Sequence, residues 1–471
     1  MRSFSLPGRR LVSIVPSAAA VMLTTAVAQA TTRQVGPGKA YAAPCAAFAA
    51  ATNGDVVEID VATYSGDVCE ITASNLTIRG VGGRPKIDAN GKNAQGTGTW
   101  VVSGNDLTIE NVEMLGAAVP DHNGAALRLQ GTNLTLRSVY LHDNENGILG
   151  GAGVVVIESS ELANNGNCID PAGCAHNAYL SANVTSFTFR ASYSHGAKSG
   201  HELKSRAQKN FILYSRITDE DGTASYSIDL PNGGTTVILG NVIQQGTATE
   251  NPTIVTYGEE GLTNAGHDLY VVHNTFVNDL GHGTFVNVAS GAPAALLQNN
   301  VFAGGGTVTN QGAAVQQGNF EGDAKLVAPA TFDYHLLAGS PAIDKGVVVS
   351  ASVDGQSLAP TFQYVHPLSV QARSIVGVAP DIGAFEVGLP VSSGDAGAPN
   401  ADGGVTSGGA ASGGTSSAAG GDGGTGASNA AAPASDDGCG CRAAGRTATP
   451  WAFMGGVAAA LALLVRRRRQ G

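Results

Sequence analysis

Short stretches of alternating apolar and polar residues recur through the middle of this chain. They are "LTIRG" (Leu76 to Gly80), "LTIENVEM" (Leu107 to Met114), "LTLRSVYL" (Leu134 to Leu141), "VVIESSEL" (Val155 to Leu162), "FTFRASYS" (Phe187 to Ser194), "FILYSRI" (Phe211 to Ile217), "VILGNVI" (Val237 to Ile243), "YVVHNTF" (Tyr270 to Phe276) and "LLQNNVF" (Leu296 to Phe302). Successive stretches start roughly 20 to 35 residues apart, the period of a solenoid coil. In each, alternation passes through a small residue or Asn and a second apolar patch follows. Such a chain makes a strand, turns at Asn or Ser, and makes the next strand around a shared core. Composition agrees, because 65 Gly among 471 residues and only 13% charged side chains favour turns and strands over helices. A net charge of -11 argues against nucleic-acid binding, which needs a basic face to neutralise phosphates.

Both ends read as addresses. Residues 1–30 carry Arg2, Arg9 and Arg10, an apolar run from about Ala18 to Val27 and "AQA" ending at Ala30, the pattern of a cleaved secretory signal. Residues 389–437 are a Gly, Ser and Ala tract that buries too little apolar area to offset its ordering entropy, so a disordered tether is expected there. Within residues 438–471, Cys439 and Cys441 precede an apolar helix candidate from Trp451 to Val465, which runs into Arg466 to Arg469. The run is slightly short for a bilayer span, and the arginines suit a cytoplasmic stop. "GCGCR", the tether before it and the Arg tail after it resemble the C-terminal sorting tails of myxobacterial surface proteins. That resemblance implies processing near the two cysteines and retention at the outer surface of the envelope, held to its membrane by the tail. Residues 31–388 are left as the folded domain, expected to be a monomer.

"CAAFAAATNGDVVEIDVATYSGDVC" at the start of that domain, and "DYHLLAGSPAIDKG" and "APDIGAFEVG" near its end, resemble the opening and closing segments of the pectate-lyase-like superfamily. The resemblance implies an all-β, right-handed parallel β-helix with a short N-terminal capping helix. It does not fix an activity, because lyases, hydrolases, epimerases and adhesins share the fold. In an exported protein, Cys45 with Cys69 and Cys168 with Cys174 are expected as two local disulfides.

The stretch "YSHGAKSGHELKSRA" (Tyr193 to Ala207) concentrates cations in this acidic chain. With Leu203 inward, alternation turns Glu202, Lys204 and Arg206 to the outside. Neighbouring coils supply His176, Asn177 and Tyr179 from "CAHNAYLS" and Tyr226 and Asp229 from "ASYSIDLPNGG". Coils stack at about 4.8 Å, so Tyr179, Lys204 and Asp229 are expected in one row, with Tyr257 extending it.

That row suits an acidic polysaccharide. Breaking a uronate chain by elimination removes the proton beside the carboxylate and expels the neighbouring oxygen, which calls for cations, a base and an acid. Lys204, flanked by Arg206 and Lys198, is the candidate base, since like charges favour its neutral form. Arg206 is the candidate carboxylate clamp, and His195, His201 and Tyr226 are candidate proton donors. Lys198, Glu202, Asp229, His176, Asn177, Tyr179 and Tyr257 are candidate binding residues. C5 epimerisation is a related reading. Binding without turnover is an alternative, as is a glycoside hydrolase with Glu202 and Asp229 as its paired carboxylates. The family's metal-dependent members leave Ca2+ open as a cofactor, although Asp219, Glu220 and Asp221 are adjacent rather than spread over coils.

Overall fold

The computed structural model describes residue 1 and residues 30–169 and 173–389. The expected signal peptide, tether and sorting tail, with Cys439 and Cys441, lie outside the described residues. Each coil makes three strands, and each strand pairs in parallel with its counterpart one coil on. Thus Cys69–Ile71 pairs with Gly98–Val102, Thr77–Val81 with Leu107–Glu110, and Lys86–Asp88 with Glu113–Leu115. These three strips are called the first, second and third faces. The first two merge into a 20-stranded sheet through the 13-residue strands Ala125–Arg137 and Asn146–Glu158, which run round the corner between them. The third face is an 11-stranded sheet. The architecture is the solenoid read from the strand rhythm, in the parallel β-helix form that the resemblance implied.

Alternation drives this arrangement. Leu107 and Ile109 are buried while Thr108 and Glu110 are half-buried, and the register stacks Ile78, Ile109, Leu136, Ile157, Phe189, Ile212, Ile238, Val271 and Leu297 down the core. Each such side chain contributes on the order of 1.5–3 kcal/mol by leaving water. Between the second and third faces the chain turns on one left-handed residue: Asn111, Ser138, Ser159, Ala191, Tyr214, Gly240, His273 or Asn299. Asn and Ser were expected at these bends. Gly240 is required at its own, because a Cβ there would meet the Tyr214 ring at 2.7 Å.

The residue after each later bend points inward and forms a ladder. The backbone N–H groups of Ser160, Ser192, Ser215, Asn241, Asn274 and Asn300 donate to the side-chain oxygens of Ser192, Ser215, Asn241, Asn274, Asn300 and Asn319 respectively. At another corner Asn144, Asn165 and Asn177 form a second ladder. These bonds satisfy polar groups at corners where the sheets leave them unpaired.

Helix Pro44–Ala50 closes the N-terminal end, with Phe48 edge-on to Trp100 at 5.0 Å and Cys45 bonded to Cys69. At the other end, Tyr334, Leu336, Ile382 and Phe385 pack on Val242, Val277 and Val301 of the third face. Val349 and Leu358 pack on Leu213, Leu239 and Val272 of the second. The closing segment thus covers two faces beside the coils that carry Lys204 on the first.

Candidate functional site

Lys204 is the middle residue of strand Leu203–Ser205 on the first face. Leu203 enters the core, so Lys204 points out. Register places Tyr179 beside Lys204, Lys204 beside Asp229, and Asp229 beside Thr256. The row expected from the sequence therefore forms, except at its end. Tyr257 is paired with Leu230 and sits wholly in the core, its hydroxyl donating to the Gly234 carbonyl at 2.8 Å. A shift of one residue exchanges inside for outside, and Thr256 takes the outward place.

Around this row the charges interlock. Lys204 Nζ lies 3.1 Å from Asp229 Oδ2 and 3.2 Å from Glu260 Oε1, and 5.4 Å from the centre of the Tyr179 ring. Arg206 donates through Nε to Tyr179 Oη at 2.8 Å, through Nη1 to Asn232 Oδ1 at 2.6 Å and through Nη2 to Glu260 Oε2 at 2.6 Å. Burial works to raise the Glu260 pKa, but Lys204 and Arg206 hold it below the ordinary value. Burial raises that of Asp229, against the pull of Lys204. Arg206 is pushed the other way by burial, yet Tyr179 and Glu260 hold its guanidinium above its ordinary value. The like-charge crowd expected around Lys204 is therefore corrected. Arg206 shares Glu260 with it, while Lys198 pairs with Asp143 at 3.2 Å on the exposed surface.

Behind the row stands a column of rings. His176 stacks on His201 at 4.6 Å, and His201 lies 4.9 Å from Tyr226. The Nδ1 of His176 accepts from the His201 N–H at 2.9 Å, and that of His201 from the Tyr226 N–H at 3.2 Å. Neutral rings so arranged carry their proton on Nε2. The His201 Nε2 is 3.4 Å from Asp229 Oδ2, whereas the His176 Nε2 is buried with no hydrogen-bond partner. Burial first, then the neighbouring cations, lower both histidine pKa values well below the ordinary range.

Other candidates lie elsewhere. Glu202 precedes the strand, where alternation does not yet apply, and turns inward. Its carboxyl accepts from Asn177 Nδ2 at 2.5 Å, Ser194 Oγ at 2.8 Å and the Ala197 N–H at 2.8 Å. Burial pushes its pKa up to about 8. Asn177 is accordingly a ladder residue. Glu202 and Asp229 have separate surroundings and do not form the open carboxylate pair that a glycoside hydrolase requires. His195 is on the third face, in strand Tyr193–His195, 3.1 Å from Glu161 and 3.7 Å from Glu220. Burial lowers its pKa, but the two carboxylates raise it to about 9. Among the described residues no three His, Cys, Asp or Glu side chains are grouped to hold a metal. Cys168 bonds to Cys174, as expected. Glu260 and Asn232 were not singled out in the sequence; both stand in turns, "GEEG" and "PNGG", whose reach onto the row no local pattern reveals.

No protein-family model matches the sequence, and no curated protein matches it. Two solved structures are similar over part of their length. Geobacillus virus E2 ORF18 is 15% identical over 59% of this chain and 56% of that one, with a TM-score of 0.40. A GH136 lacto-N-biosidase from Eubacterium ramulus is 13% identical over 62% of this chain and 68% of that one, with a TM-score of 0.35. The pectate lyase Pel9A is 16% identical over 76% of this chain and 97% of that one, with a TM-score of 0.53. At that identity the likeness is one of fold: the chain is built as a parallel β-helix like that lyase.

Proposed function

We propose that this protein binds acidic, uronate-containing polysaccharide on the Lys204 row and cleaves it by β-elimination. The observation that carries the reading is the convergence of Lys204 and Arg206 on a single carboxylate, that of Glu260. Two cations that fit one carboxylate in two-point fashion suit a uronate. The pectate lyase Pel9A, whose fold this chain shares, supports the reading.

In the proposed reaction Arg206 clamps the uronate carboxylate, and Lys204, once its ammonium has passed a proton to solvent, takes the C5 proton. The electrons of that C–H bond form the C4–C5 double bond, and the C4–O bond breaks with its pair on the leaving oxygen. That oxygen takes a proton from Tyr179 or His201, the donors nearest the row. Asp229 then stabilises the new ammonium. His195, expected as a donor, has no place in this step, since it is on another face; Tyr226 packs beside His201 one coil further on, half-buried, and stays a donor candidate for a neighbouring position of the row.

One observation favours binding without turnover: Asp229 and Glu260 both face Lys204 and stabilise its charged form. The two readings separate in one assay. Protein is mixed with a panel of uronate polymers, and binding and the ultraviolet absorbance of the new double bond are recorded. Elimination gives absorbance that falls by about 100- to 10,000-fold in Lys204→Ala, binding alone gives retention without absorbance, and neither signal overturns both. We further propose export and envelope retention through residues 438–471, so that deleting residues 436–471 releases the protein to the medium; unchanged retention counts against it.

A further inference from the structure

The anion that holds the two cations belongs to the chain itself. Glu260 Oε1 is 3.2 Å from Lys204 Nζ, and its Oε2 is 2.6 Å from Arg206 Nη2. Its side chain is 33% exposed, against 2% for Lys204 and 13% for Arg206. The carboxylate is thus the outer layer, with the cations beneath it. Lys204 and Asp229 are fixed in strands, but Glu260 rides on the turn between Gly258 and Gly261, glycines with φ of +80° and +114°. Two single bonds, Gly258 N–H to the Leu230 carbonyl at 2.8 Å and Glu260 N–H to the Pro231 carbonyl at 3.1 Å, tie that turn to the preceding coil.

We infer that the seat of the Glu260 carboxylate is the carboxylate subsite of this face, and that the Gly258–Gly261 turn is a tethered occupant which a ligand carboxylate replaces. As a statement about the natural ligand this rests on the acidic-glycan reading; as a statement about an anion seat it rests on Lys204, Arg206 and Glu260 alone. Buried cations left without an anion are costly, so the seat is never empty: one carboxylate enters as the other leaves. The exchange disturbs little else. Lys204 keeps Asp229, and Arg206 keeps Tyr179 and Asn232, while the released Glu260 returns to water.

Chemical rescue tests the seat without any polysaccharide. Thermal unfolding of full-length wild type, Glu260→Ala and Glu260→Gln is followed at pH 7 in sodium acetate and in sodium chloride of equal ionic strength. Acetate at about 100 mM is expected to raise the melting temperature of both variants by about 2–4 °C over chloride, with a far smaller rise in wild type, whose seat is filled. The rise should vanish in Glu260→Ala/Arg206→Ala. Glu260→Gln keeps the side-chain volume and serves if the alanine variant does not fold. An equal acetate response in wild type and variants, or one that survives loss of Arg206, overturns the inference. Failure of the glycan reading leaves a different trace, rescue by acetate with no uronate polymer bound. Where a polymer is bound, Glu260→Gln should bind it about tenfold more tightly than wild type, as expected when a competitor worth one such factor is removed, and weaker binding would count against the exchange.

Discussion

Lys204 Nζ stands 3.1 Å from Oδ2 of Asp229, its partner at the same position one coil further on. Both side chains are almost wholly buried. Removing one partner leaves the other charge in a poor solvent. Asp229→Ala should therefore lower stability by about 3 kcal/mol, the low end for a broken buried pair, because Glu260 still faces the ammonium. The combination with Lys204→Met should lose less than the sum of the singles by at least about 1 kcal/mol. Urea midpoints at constant slope read both, and strictly additive losses would show that the two do not act as a unit.

Tyr179 holds Arg206 through its hydroxyl and faces Lys204 with its ring. Tyr179→Phe removes only the first of these contacts. Binding of the uronate polymer that wild type prefers should weaken by about 1 kcal/mol, roughly fivefold in Kd, with the urea midpoint nearly unchanged. A large stability loss with intact affinity would make Tyr179 a packing residue.

Stability should fall as pH rises from about 6.5 to 9, above the range where His176, His201 and His273, held by burial well below the ordinary 6.5, give the opposite slope. Glu202 has a folded pKa of about 8, above its ordinary 4.5, so its contribution is complete below the lower value and is lost as pH climbs through the upper one. Asp219, raised by burial to about 6, and His195, held up to about 9 by Glu161 and Glu220, act in the same direction. Glu220, held down to about 2 chiefly by His195 against its burial, has the opposite sign, but its window lies below pH 4.5. Glu202→Gln should flatten the slope between about pH 6.5 and 8. A midpoint that rises through this range in wild type would contradict the assignment.

The Cys45–Cys69 disulfide ties the capping helix to the first face across 24 residues. Replacing both with Ser should cost about 2–4 kcal/mol. Replacing Cys168 and Cys174, which are only six residues apart, should cost less, because a shorter loop constrains the unfolded chain less. Urea midpoints of the two double variants compare them directly, and the reverse order would locate the strain or packing elsewhere.

How far these features were legible depended on distance from regular strand. Tyr179, Lys204 and Asp229 are spaced 25 residues apart in equal coils, so alternation and spacing together placed them. The next coil is two residues longer, with Thr256 opposite Asp229, and Tyr257 fell on the wrong side of the wall. Glu202 was misplaced because alternation was extended over a residue that precedes its strand. His195 and Lys198 are close to Lys204 in sequence, but a corner of the coil separates them from it. Glu260 is 54 residues from Arg206; only the fold brings them together.

The short ladder at the other corner has a direction. Asn144 Nδ2 donates to Asn165 Oδ1, Asn165 Nδ2 to Asn177 Oδ1, and Asn177 Nδ2 to the Glu202 carboxyl. Three amide dipoles therefore point head to tail, their positive ends toward Glu202, and each polarises the next. The string behaves as a small electrostatic conductor across the coils: replacing Asn144, two rungs away and out of contact, should make Glu202 a weaker acid. Acidity inside this wall is thus set along the axis of the solenoid, by residues that share neither a loop nor a strand with the group they tune.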